Sequence, residues 1–100
     1  MKAHTKIYMN AFLYDISDFI ACEITGGKAV DIHHIVSREN RIENLMALTR
    51  EKHIELGEIK SKMVYLLEKH RNFLYLAGVR FSNKWFEENI KRYKVYDNRN

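Results

Sequence analysis

The sequence lacks the cysteine pairs and the long apolar segments that are typical of secreted and membrane proteins. Its 100 residues include no proline and one cysteine, Cys22, which has no partner for an internal disulfide. No apolar run approaches the roughly 20 residues that a membrane-spanning helix needs. The N-terminal stretch MKAHTKIYMNAF also lacks the apolar block of a secretory signal. We therefore expect a cytoplasmic protein with no membrane partner.

The chain also has no internal repeat and no low-complexity run, and its length suits one domain. Hydrophobic residues make up 46% of it, which is enough to fill a single core. Charged residues make up 30%, which leaves an ordinary solvated surface.

Positive charge is scarce in the first half of the chain and concentrated in the second. Residues 1–27 carry a net charge of −1 and residues 28–57 are neutral, whereas residues 58–100 hold ten Lys or Arg against five acidic residues. A basic half of this kind suits a polyanion such as nucleic acid. A solvated, lysine-rich helix surface is the alternative interpretation.

Two short segments are expected to pair as a β-hairpin. The segment 29–36 has the β-branched density of a strand, and 45–48 is a short apolar strand that could pair with it across the polar loop 37–44. TGGK, at 25–28, predicts a turn, whereas 7–20 is compatible with either strand or helix. The residues expected to be buried on the first strand are Val30, Ile32 and Ile35.

The rest of the chain has the pattern of helices. Thr49 is a good N-cap for a helix over 50–56, which would end with Gly57 at the C′ position. The segment 58–78 has apolar residues at helical spacing, and Ser82 would cap a last helix, NKWFEENIKRY. The apolar stripe of that last helix is Phe86, Ile90 and Tyr93. The predicted class is therefore α+β and mostly helical.

Three of the five histidines fall close together in this layout. His33 and His34 would lie at the end of the first strand, and His53 on the first turn of the following helix, so His33 and His53 could reach one metal ion. Asp31 shares a strand face with His33 and could hold that ring or act as a further ligand. His34 points to the other face, where it suits a base that takes a proton from water. A chance cluster on a solvated surface is the alternative.

These residues resemble a known motif. The stretch DIHHIV…RIENLMALTREKH is similar to the HNH, or ββα-metal, endonuclease motif, which would occupy residues 28–57. The flanking YDISDFIACEI and the helix after Gly57 also resemble small phage and bacterial HNH proteins. The resemblance implies one HNH-like nuclease domain over residues 1–100, with a ββα-metal core and a helical C-terminal extension at 58–100.

The resemblance also implies a role for each residue of the motif. His33 would be the strand ligand and His53 the helix ligand of one divalent metal ion. His34 would be the general base that activates water for attack on phosphorus. Asn44 would tie the loop by side-chain hydrogen bonds and so keep His34 oriented, unless it is simply a turn asparagine. Asp31 occupies a position that is often acidic in the family.

The expected cofactor is one divalent metal ion, with Mg²⁺, Mn²⁺, Ni²⁺ and Zn²⁺ all compatible. Such an ion would neutralise charge that grows on the phosphate during cleavage. Many relatives also hold the fold with two Cys-x-x-Cys pairs around a structural zinc. The corresponding places here are Cys22…Thr25 and Thr49…Lys52, so no structural zinc is expected.

The expected partner is DNA, and two groups of basic residues are candidates for binding it. Three arginines flank the site and could hold the scissile phosphate, or pair instead with Glu39, Glu43 or Glu51. They are Arg38, Arg41 and Arg50. The candidates for non-specific backbone contacts are Lys84, Lys91, Arg92 and Lys94.

The function expected from these features is metal-dependent hydrolysis of DNA phosphodiester bonds, as in a phage or mobile element acting in the host cytoplasm. The alternative is an HNH-fold module that binds DNA but has lost cleavage, and a protein–protein adaptor is the third hypothesis. The sequence leaves open whether the chain forms a homodimer. Of the remaining histidines, His70 is expected in the core and His4 as a mobile terminal residue.

Overall fold

The computed structural model describes residues 1–97, so the last three residues of the C-terminal extension lie outside the described part. In chain order its elements are helix α1 (Ala3–Ala11), strand β1 (Asp31–His34), strand β2 (Leu45–Leu48), helix α2 (Arg50–Lys52), helix α3 (Met63–Leu76) and helix α4 (Asn83–Tyr93). A π-helical turn, His53–Gly57, continues α2, and 3₁₀ turns lie at Ile42–Asn44, Lys60–Lys62 and Lys94–Tyr96.

The predicted class, α+β and mostly helical, is confirmed. None of the described helices has the length and apolar character needed to cross a bilayer.

The two strands pair antiparallel, as predicted, with His33 opposite Met46 and His34 opposite Leu45. The first strand is shorter than the segment 29–36. Of its three expected core residues, Ile35 is buried and Ile32 partly buried, but Val30 is 55% exposed. The expectation for Val30 was wrong because this residue precedes the strand and only its backbone amide pairs, with Leu48.

Strand β2 is covered on both faces, which explains its uninterrupted apolar sequence. Leu45 and Ala47 pack with Tyr8 of α1, whereas Met46 and Leu48 belong to the main core formed with α3 and α4. Since side chains alternate along a strand, β1 also has one face toward α1 and one toward the opposite side. His34 lies on the α1 face and His33 on the other.

The two predicted N-caps are confirmed. The Thr49 hydroxyl accepts a hydrogen bond from the Lys52 amide at 3.2 Å, and the Ser82 hydroxyl accepts one from the Trp85 amide at 3.1 Å. Gly57 is not the C′ residue that was expected. It lies within the π-helical turn, and its space is taken up by histidine rings, as described below.

A buried polar cluster joins α1, β2 and α3. The carboxylate of Glu23 accepts a hydrogen bond from the hydroxyl of Tyr8 at 2.7 Å and lies 2.7 Å from Nδ1 of His70. Nε2 of His70 donates to the carbonyl of Ile42 at 2.6 Å. Burial, and then the Glu23 carboxylate, raise the pKa of Tyr8, so the phenol remains a donor. The prediction that His70 is a satisfied core histidine is confirmed.

Removing the His70 ring should leave one oxygen of the fully buried Glu23 carboxylate without its histidine partner, while the other oxygen keeps its bonds from Tyr8 and Ala47. We expect His70→Ala to lower the free energy of unfolding by about 3 kcal/mol or more, because a buried charge that loses its partner is strongly destabilising. Urea unfolding followed by circular dichroism measures this. The matched control is Asn72→Ala, an exposed position on the same helix, which should change stability by less than about 0.5 kcal/mol. Equal effects of the two substitutions would contradict the role given to Glu23.

Candidate metal centre

His33 is buried in a way that is unusual for a histidine. Only 5% of it is exposed, and its Nε2 is the one buried side-chain nitrogen or oxygen among the described residues without a hydrogen-bond partner. Burial lowers the pKa of His33 to about 4, and the proximity of His53 contributes to this shift. The ring is therefore neutral near pH 7 and has a lone pair available for a metal ion.

His53 faces His33 from the π-helical turn, with ring centroids 4.6 Å apart. Its Nδ1 donates to the Asp31 carboxylate at 3.0 Å, which leaves Nε2 free on the other side of the ring. Burial alone would raise the pKa of Asp31, but hydrogen bonds from His53 and Arg50 outweigh it and hold that pKa below its ordinary value. A carboxylate behind a histidine in this manner fixes the ring of a metal ligand.

The role predicted for Asp31 is therefore corrected. It was expected to hold the ring of His33 or to join the ligand set, but it holds the ring of His53. Its two oxygens are occupied by His53 and by the guanidinium of Arg50, at 2.9 and 3.4 Å. Asp31 does share a strand face with His33, as expected. Alternation predicted that face correctly, but it could not show that the Asp31 carboxylate would contact the ring of His53 and not that of His33.

Glu58 is one of the site residues that the sequence did not reveal. Oε1 of Glu58 lies 3.8 Å from Nε2 of His53, five positions earlier. In a regular α-helix the side chain four positions on would lie over His53, but the π-helical turn shifts this alignment by one residue. The residue four positions on is Gly57. A Cβ there would lie 2.6 Å from Cδ2 of His53 and 3.2 Å from Cε1 of His33, so glycine makes room for both rings.

His33, His53 and Glu58 together form a group that could hold a metal ion. One ligand atom from each lies within 4.8 Å of the other two. His33 is buried and Glu58 is exposed, so one side of this group faces the protein interior and the other faces solvent. A metal site of this kind keeps positions open for water. The two histidines are those predicted, and the carboxylate is new.

His34 lies on the opposite face of β1, as predicted, and a second asparagine, Asn40, contacts its ring. Its Nε2 donates to the side-chain oxygen of Asn40 at 2.8 Å. Asn44, which was expected to tie the loop, accepts from the Val36 amide at 3.0 Å and donates to the Ser37 carbonyl at 2.8 Å. Asn44 therefore closes the loop after β1, and Asn40 contacts the His34 ring itself.

A single cavity of about 650 Å³ reaches both faces of β1 at this end of the hairpin. It brings the possible metal ligands and His34 to one surface. Its charged and polar lining residues are His4, His33, His34, Ser37, Arg38, Asn40, His53 and Glu58. The presence of His4 corrects the expectation of a mobile terminal residue, because α1 begins at Ala3 and places this ring at the site.

The three arginines near the site differ in their surroundings. Arg50 pairs with Asp31, and Arg41 pairs with Glu43 at 2.9 Å and with Glu39 at 3.4 Å. Arg38 is exposed, lines the cavity and has no ion pair with the described residues. The predicted backbone-binding residues are also exposed, and Lys84 lies 3.9 Å from Glu88. They are Lys84, Lys91, Arg92 and Lys94.

Comparison with known proteins adds no relative. No family model, no curated protein and no solved structure matches this chain. What the site does must therefore be inferred from its own chemistry.

The space beside Gly57 gives a first test of the site. We expect Gly57→Ala to lower the free energy of unfolding by about 1–3 kcal/mol, because the added methyl group must displace both imidazoles. Gly27→Ala is the matched control, since a Cβ there makes only ordinary contacts, the nearest at 3.4 Å. Urea denaturation of both variants measures the difference. Equal stability would show that the rings can move aside at no cost.

Glu58 gives a second test, which uses metal binding. We expect Glu58→Gln to weaken binding of Mn²⁺ or Zn²⁺ by at least about tenfold, because the substitution removes the anionic ligand and keeps its size. Glu55→Gln is the control: it lies three residues earlier, within the π-helical turn, and loses the same charge, but its carboxylate pairs with Lys52. Isothermal titration calorimetry of the purified chain measures both affinities. If the two variants bind alike, Glu58 is not a ligand.

Proposed function

We propose that this chain is a metal-dependent endonuclease that hydrolyses DNA phosphodiester bonds, of the HNH type that its sequence resembles. The observation that carries the proposal is the set of side chains that line one cavity. A possible metal-binding group, His33, His53 and Glu58, and a separate, oriented imidazole, His34, line the same space. A metal site alone or a histidine alone would not favour this chemistry, but the two together supply both requirements of phosphodiester hydrolysis.

The residues present fit a divalent metal ion. Nε2 of His33 has no hydrogen-bond partner, so its lone pair is available to a metal ion, and Gly57 leaves room around the ring. Two imidazoles and one carboxylate suit Mn²⁺, Ni²⁺ or Zn²⁺, and Mg²⁺ would rely more on the carboxylate and on water. When bound, such an ion supplies positive charge that stabilises the negative charge developing on the phosphate.

His34 is proposed as the general base. Because its Nε2 donates to Asn40, the ring carries its proton on that nitrogen and leaves Nδ1 as an acceptor. An imidazole with one free nitrogen can take a proton from water as the water oxygen bonds to phosphorus and the bond between phosphorus and the leaving alcohol oxygen breaks. The hydrogen bond to Asn40 holds the tautomer that this step requires.

Substrate binding is proposed to use the cationic side chains around the cavity and on α4. Arg38 is the arginine of the three whose guanidinium is available to a phosphate at the cavity. Arg41 and Arg50 are already paired, so their proposed contact with DNA would require exchange of partners. The exposed residues Lys84, Lys91, Arg92 and Lys94 would contact the backbone regardless of sequence. The same surface favours the second candidate function, a module that binds DNA without cutting it.

Plasmid nicking in Mg²⁺ or Mn²⁺ tests the enzyme proposal. We expect the wild-type chain to convert supercoiled plasmid to the nicked form, and EDTA to abolish the reaction. His34→Ala should lower the rate at least about a hundredfold, which is the usual contribution of a general base. Asn72→Ala, an exposed substitution on α3, should nick at the wild-type rate.

The outcomes separate the two candidate functions. Equal nicking by the wild type and His34→Ala would sink the assignment of the base and point to a contaminating nuclease. A chain that shifts DNA on a gel, with affinity falling steeply as salt rises, but cuts with neither metal would be the binding module.

A further inference from the structure

His4 lies at the cavity although it is far from the motif in sequence. Its ring centroid is 4.6 Å from that of His34, with the two planes tilted by 53°. It is the second residue of α1 and is partly buried. The contact is on the α1 face of the hairpin, away from the possible metal ligands, which lie on the other face of β1.

The position of His4 is fixed by the core. Tyr8 lies four residues later on the same helix, so the two side chains lie on one face. Tyr8 is fully buried, and its hydroxyl donates to the Glu23 carboxylate at 2.7 Å. The anchored tyrosine therefore sets the rotation of α1 that turns His4 toward His34.

Two contacts then determine the orientation of the His34 ring. Asn40 binds it at Nε2, and His4 packs against the ring. His34 is only partly buried, so without a packed neighbour its ring is free to turn about two torsions. A single hydrogen bond to an exposed loop residue is a weak restraint, and a ring packed against it adds steric restriction.

We propose that His4 is a positioning residue for the His34 imidazole, so that α1 forms part of the active site. The proposal rests on the proposed function, because orientation of His34 matters to catalysis only if His34 is the base. The role belongs to the ring of His4 as a packing surface and does not require its nitrogens.

Three variants of the full chain test this: His4→Ala removes the ring, His4→Phe keeps a ring of similar shape, and Asn10→Ala is the control on the exposed side of α1. The first measurement is independent of activity. Long-range ¹H–¹⁵N spectra of the imidazoles, without metal or DNA, report which nitrogen of His34 carries the proton. We expect His4→Ala to reduce the population protonated at Nε2, His4→Phe to restore it and Asn10→Ala to leave it unchanged.

The second measurement is the single-turnover nicking rate with Mn²⁺, beside the affinity for the same DNA. We expect His4→Ala to lower the rate roughly ten- to hundredfold while DNA affinity stays within twofold of wild type, because misplacement of a reacting group affects the chemical step. His4→Phe should recover most of the rate. A merely structural defect would lower stability and would weaken DNA binding together with the rate.

The results distinguish failure of this inference from failure of the proposed function. Unchanged His34 spectra in His4→Ala, or a His4→Phe variant that behaves like His4→Ala, would overturn the positioning role. If the wild type fails to nick with any metal but His4→Ala still releases His34, the nuclease proposal is wrong and the contact between the two rings stands.

Discussion

The buried carboxylate of Glu23 is the contact on which the rest of this structure depends, because three elements meet at its two oxygens. One oxygen faces His70 of α3, and the other accepts from Tyr8 of α1 and from the amide of Ala47 in β2. A hairpin of two four-residue strands is not stable alone in water. Packing on both faces of β2 and the hydrogen bond from Ala47 to Glu23 hold β2 in place. Strand β2 in turn pairs with β1, from which His33 and His34 point in opposite directions.

A second buried carboxylate, Glu43, holds the loop between the strands. It accepts from Arg41 at 2.9 Å and from the amide of Ser82 at 2.7 Å, which connects the loop to the start of α4. Burial would raise the pKa of Glu43, but these hydrogen bonds outweigh it and keep that pKa below its ordinary value. The hydroxyl of Tyr93, at the other end of α4, donates to the Val36 carbonyl at 3.3 Å. Helix α4 thus supports the loop that supplies Asn40 to the cavity.

The sequence predicted the parts of the site that follow from local periodicity. The two strands come from β-branched and apolar composition, the opposite faces of His33 and His34 from alternation, and the Thr49 cap from capping chemistry. It missed Glu58 because the π-helical turn has no pattern of its own. It missed His4 because the orientation of α1 is set by a buried hydrogen bond between residues 15 positions apart. Periodicity describes one element at a time, whereas these contacts depend on how elements pack.

Three departures from ordinary packing and helix preferences coincide at the candidate site. His33 buries a ring nitrogen without a partner, which costs about 1–3 kcal/mol. The chain forms a π-helical turn, and it places a glycine within that turn, where alanine would favour a helix. Such departures tend to collect where function requires them. A bound cation would account for the first two, because it would give the His33 nitrogen a bond and use the alignment of His53 with Glu58 that the turn creates. The glycine makes room for the two rings that would hold it.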